Sequence, residues 1–91
     1  MTYQEILQDA LSDAADRHDI HSGAIYAKYR RQPAVWARQD VQLSMWAHGI
    51  KLEAIAQEFD CHRATVHSNA RAAARRLLRN SCEKVLQHVP A

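Results

Sequence analysis

The chain has 91 residues, 47% of them apolar, and a formal net charge of +2. That length supports one domain, over 1–91, with a modest core, because a chain of this size buries only about 60–65% of its unfolded surface. No apolar run approaches the roughly 18–20 residues of a membrane span, and the acidic opening "MTYQEILQDALSDAADRHD" lacks the basic start and cleavage site of a secretory signal, so a cytoplasmic protein is expected.

Two prolines and two glycines leave few breaks, and abundant alanine favours helix. No period-two alternation of β-branched residues appears, so the expected fold is all-α, with about five helices. The first begins at Thr2, where Thr2 and Glu5 form a T-x-x-E capping box. Ile6, Leu7, Ala10, Leu11 and Ala14 then recur at helical spacing as one apolar stripe that fades near His18. "HDIHSG" reads as a connection, with Ile20 plugging the core. Ser22 caps a short second helix, "GAIYAKYR", whose inward residues are Ile25, Tyr26 and Tyr29.

Pro33 lacks an amide hydrogen and pushes Gln32 out of helical geometry. A third helix therefore runs from about Val35 to His48, with Trp36, Leu43, Trp46 and Ala47 as its buried face. Gly49 supplies a left-handed C-terminal residue. A fourth helix, "LEAIAQEF", is followed by a tight turn at 60–62 and a fifth helix from near Arg63. Two extents are open for that helix, a continuous run to about His88 or a break at Asn80–Ser81.

The C-terminal half has the spacing of a helix-turn-helix over about 52–72. Leu52 opens it, Ile55 and Phe59 face the core one turn apart, and Ala56 is small enough for two helices to cross. Cys61 is the apolar residue of the turn, and Val66 packs the second helix onto the first. Asp60 stands where glycine is commonest, and His62 where Ser or Asn caps best.

Charge is unevenly placed. Residues 1–20 hold five acids against Arg17, a net −4, whereas residues 21–79 hold ten bases against four acids, a net +6. A basic face on a nearly neutral whole suits a polyanionic partner. In a helix-turn-helix, His62, Arg63, Thr65, His67 and Ser68 turn outward into a major groove, where Arg bonds guanine and Thr meets a thymine methyl. Arg71 continues the line, with a phosphate contact as its role.

From about Ala14 to Leu78 the chain resembles the C-terminal DNA-binding domain of the bacterial replication initiator DnaA. The residues that carry the likeness are "DAADRHDI", "IYAKYRRQPAV", "ARQDVQLSMWA", "LEAIAQEF" and "ATVHSNARAAARRL". The resemblance implies a basic loop ahead of the central helix, matched by Lys28, Arg30 and Arg31, and an Arg-Gln opening of that helix, matched by Arg38 and Gln39. It implies that a loop arginine enters the minor groove, Arg30 by position and Arg31 next. Lys28, Arg38 and Lys51 are expected to contact the DNA backbone. The turn "DCHRATV" is one residue shorter than in that family, so of the family's base-reading residues only Thr65 carries over. The shorter turn fits ordinary helix-turn-helix proteins, including sigma-factor region four. No G-x-x-x-x-G-K-[ST] loop is present, so the initiator's ATPase half is missing.

Other chemistries read weakly. Cys61, His62 and His67 have no metal-ligand spacing, and a turn cysteine packed inward is not poised for attack. Cys61 and Cys82 are too few for a disulfide framework and read as buried thiols. No catalytic residue, cofactor or metal is expected. The expectation is a sequence-specific double-stranded DNA-binding protein, a small bacterial or phage transcriptional or replication regulator associated with the nucleoid. The alternative is a protein-interaction module, an adaptor or antagonist on the same fold, docking a basic partner on Asp9, Asp13 and Asp16 of the first helix.

Overall fold

Thr2 sets the start of the first helix. Its hydroxyl accepts the Glu5 N–H at 3.2 Å and itself donates to the Glu5 carboxylate at 3.2 Å. The box is therefore closed through side chains, and not by Glu5 reaching back to the Thr2 amide. The computed structural model describes residues 1–27 and 31–88, with side chains to Asn80. The described residues form α1 (Tyr3–His18), α2 (Ser22–Tyr26), α3 (Gln32–Ala47), α4 (Leu52–Glu58) and α5 (Arg63–His88), with no strand among them. The fold is all-α. No helix among these residues is long and apolar enough to cross a membrane.

The expected stripe of α1 is buried in full, and Ala15 joins it. α2 is capped one residue earlier than expected: His21 Nδ1 accepts the Gly23 N–H at 3.0 Å, and Ser22 is already helical. Ile25 is fully buried; Tyr26 is partly exposed, with its ring stacked on Phe59 at 5.1 Å. Tyr29 lies outside the described residues.

α3 starts at Gln32, ahead of the expected Val35. Arg31 takes the extended N-cap conformation, and Pro33 falls in the first turn, where a helix has no intrahelical use for the missing N–H. Its expected buried face is corrected too. Trp36 and Trp46 are each 39% exposed, Ala47 is exposed and Leu43 only half-buried. The residues actually buried are Ala34, Ala37, Val41 and Met45, with the polar Asp40 and Gln42. α3 touches all four other helices, and small side chains at the contacts let their backbones approach. The two indoles cover the edges of the α3–α5 seam.

Three helices end by one device. Asp19 (φ 52), Gly49 (φ 87) and Asp60 (φ 50) are left-handed. The next residue in each case, Ile20, Ile50 or Cys61, donates its N–H back to Ala15, Met45 or Ala56 at 3.0–3.1 Å. These are Schellman closures, which satisfy orphan carbonyls and turn the following apolar side chain inward. Ile20, Ile50 and Cys61 accordingly pack against the core. Cys61 is half-buried, less than the buried thiol expected; the Cys82 side chain lies outside the described residues. α5 is continuous through Asn80 to His88.

α4 and α5 pack against each other. Ile55, Ala56, Phe59 and Val66 are buried in one cluster with the α1 stripe, Ile25 and Met45. Two polar clusters tie the helices together. The hydroxyls of Tyr3 and Tyr26 both donate to the Glu58 carboxylate, at 2.7 and 3.1 Å. Across α3, Asp40 Oδ2 accepts from Arg17 Nη1 at 2.9 Å and His18 Nε2 at 2.7 Å. Its Oδ1 lies 3.2 Å from Arg76 Nη1, an ion pair without an aligned hydrogen bond.

Replacing Asp40 by Ala removes the shared partner of three cationic or polar groups. The cost should be about 2–4 kcal/mol, below the full buried-pair value because Arg17 is half exposed. Urea unfolding followed by circular dichroism measures it. A second outcome concerns alkali. Burial first, then the bond to Glu58 and its charge, push Tyr3 up to about 12; burial, then that charge and bond, do the same for Tyr26. A folded-state pKa above the unfolded value gives stability that is complete below pH 10 and lost as pH rises through 12. The urea midpoint should therefore fall between pH 10 and 12, and Glu58→Gln should flatten that fall.

Candidate nucleic-acid interface

The start of α5 is fixed from both sides of its first turn. His62 Nδ1 accepts the Ala64 N–H at 3.1 Å, so the imidazole works as an N-cap and offers only its other ring nitrogen outward. Val66, Ala70 and Ala73 are completely buried and lock the helix against α3 and α4. At 100° per residue, the opposite side carries Ala64, Ser68, Arg71 and Arg75, flanked by His67, while Arg63, seven residues before Ala70, is exposed on the packed side as the first residue of the helix. All six are exposed.

Arg63 Nη1 pairs with Glu53 Oε1 at 3.0 Å, with both side chains mostly exposed. A hydrogen bond from its own backbone and then the Arg63 guanidinium hold the Glu53 carboxyl below its ordinary value. The pair lies in water and is screened by salt, so it holds Arg63 loosely at the edge of the α4–α5 surface. The His67 and Trp46 rings meet in a T-shaped pair, 5.5 Å between centroids. Thr65 is exposed at the mouth of a cleft of about 190 Å³ shared with Arg38, Gln42 and Asn69. There Asn69 Nδ2 donates to Gln42 Oε1 at 2.9 Å, fixing the side of α5 that faces α3.

Between Cys61 and Cys82 the chain has no acidic residue. Arg71, Arg75 and Arg79 are exposed, and no ion pair is formed by them among the described residues. Arg76 differs: it is held by Asp40, bonded to Gln39 Oε1 at 2.8 Å and laid over the Trp36 ring at 5.3 Å. Lys51 and Arg31 are exposed N-cap residues of α4 and α3.

The remaining expected contacts part company with this surface. Arg38 Nε donates to the Ile25 carbonyl at 2.9 Å, and its Nη2 donates to the Ala27 carbonyl. The guanidinium is thus spent closing the C-terminus of α2 and is half-buried. Lys28 and Arg30 lie outside the described residues. The Glu53 and Asp40 partners of the arginines were not readable from sequence, because they join positions 10 and 36 apart. No group of three or more His, Cys, Asp or Glu side chains suited to a metal occurs among the described residues. Asp9, Asp13 and Asp16 are exposed on α1, which packs on α3 and not on α5. The chain matches no protein-family model, no curated protein and no solved structure.

Proposed function

We propose that the chain is a sequence-specific double-stranded DNA-binding protein in which α4 and α5 act as a helix-turn-helix. The observation that supports this most is the exposed outer face of α5, without an acid from Arg63 to Asn80, above an inner face buried at Val66, Ala70 and Ala73. Its first turns present donors and small side chains together: Arg63, Thr65, His67 and Ser68 to base edges, Arg71 to a phosphate at the rim. Lys51 and Arg31, exposed at the starts of α4 and α3, serve the flanking backbone. The resemblance to the initiator's DNA-binding domain supports the same docking, with Arg30 and Arg31 at the minor groove, and a role as a small bacterial or phage regulator on the nucleoid.

Arg38 is the exception within that resemblance. Its bonds to α2 make it a brace for the segment that leads into the basic loop, so it acts on DNA through the placement of that loop. The second reading, a module that docks a basic protein on α1, is favoured by the exposure of Asp9, Asp13 and Asp16. Selection from random duplexes with purified protein separates the two: an enriched motif supports the regulator, and no retention at low salt supports the docking module.

Arg63→Ala should relax base preference at one position, costing about 1–3 kcal/mol there. A repeated selection that returns an unchanged motif would refute the assignment. Arg71→Ala should weaken all sequences alike and shallow the salt slope by about one. Titration of a selected and a scrambled duplex from low to high salt checks it, and a loss confined to the selected site would speak against a phosphate role.

A further inference from the structure

We propose that the groove between the start of α3 and the fourth and fifth turns of α5 is a second nucleic-acid site, one that takes an unpaired strand. The groove has a volume of about 450 Å³ and is walled by Gln32, Trp36 and Gln39 from α3 and by Arg75, Arg76 and Arg79 from α5. No acid lines it. Arg76 is fixed by Asp40, Gln39 and the Trp36 ring and forms a rigid floor. Arg75 and Arg79 stand one turn apart on the rim, exposed and with no ion pair among the described residues. Two uncompensated guanidinium groups one turn apart suit successive phosphates of one strand.

The rest of the lining suits bases. Trp36 lines the groove with 39% of its surface exposed and Arg76 laid over its ring, and the indole with its guanidinium layer gives a flat stacking wall for a nucleobase. Gln39 spends its oxygen on Arg76 and keeps its amide hydrogens for an acceptor on a base edge, and Gln32 is exposed beside it. Paired bases present no open face or pairing edge to such a wall; unpaired ones do. Position separates this groove from the duplex surface. At 1.5 Å per residue, Arg75 and Arg79 stand roughly 18 and 24 Å along α5 from Arg63, beyond the roughly 12 Å width of a major groove. The groove also opens on the flank of α5 opposite Arg63 and His67. This inference therefore does not rest on the duplex reading.

The test is a titration of the whole chain with oligothymidylate of about twelve nucleotides, within the span of single-strand sites. Fluorescence anisotropy reads binding, and Trp36 emission in a Trp46→Phe background reads contact at the groove. Saturable binding with quenching of Trp36 is expected. The Arg75→Ala/Arg79→Ala double variant, whose melting should be unchanged because both side chains are exposed, should bind at least about tenfold more weakly and lose about 1.4 from the salt slope. Arg63→Ala should bind the strand as the parent does. Equal affinity in the double variant would overturn the proposal, as would inorganic polyphosphate of equal charge quenching Trp36 and competing as well as the oligonucleotide. Strand binding that persists where duplex selection fails would remove only the duplex reading, and the reverse would remove only this one.

Discussion

The carboxylate of Asp40 is the constraint on which the arrangement depends. α1 and α5 each pack on α3 and make no backbone approach to one another. Asp40 sits between them with its side chain 3% exposed and draws Arg17 and His18 from one helix and Arg76 from the other. A carboxylate so far out of water is costly unless surrounded by donors. Its three partners answer that cost only when α1 ends, α3 crosses and α5 passes at the right heights. The cluster thus fixes the height of α5 relative to the body, which hydrophobic contact alone leaves free to slide. Trp36 borders the cluster, with Arg76 over its ring and the His18 ring tilted against it at 6.3 Å.

The turns complete what Asp40 begins. Three left-handed residues each close a helix and return an apolar side chain to the core. The third, at Asp60, determines what α5 shows. With Cys61 turned inward and His62 capping the new helix, Val66 is bound to fall on α4 and the positions around Ser68 to fall outside. Aspartate in this conformation is less favourable than glycine, yet the closing bond of Cys61 to Ala56 and the burial of Phe59 hold it there.

What the sequence made legible follows from how many neighbours each helix has. α1 and α4 bury one side, so the stripes Ile6–Ala14 and Ile55–Phe59 stand out against polar residues. The Val66 register follows from the spacing of two helices that cross at a small residue. α3 is enclosed by four neighbours, so no single apolar stripe marks it. There the largest apolar residues, Trp36 and Trp46, lie at the rim, while alanines mark the contacts. The cationic residues were legible as a group but not one by one. Arg38, Arg63, Arg71 and Arg76 look alike in a chain, and only the distant carbonyls and carboxylates beside them distinguish their roles.

That sorting changes the meaning of a net charge of +2. Arg17 and Arg76 share the single negative charge of Asp40, and Arg38 is turned onto carbonyls. What remains is spatially polar: the acids of α1 lie on one helix, and arginines 71, 75 and 79, without an ion pair among the described residues, lie on another that makes no backbone approach to it. A molecule built so has a strong charge separation under a weak total. The torque that an external field exerts on such a molecule depends on the separation and not on the sum. Burying one arginine beside Asp40 while leaving its neighbours in water makes α5 both a fixed structural element and an open cationic face.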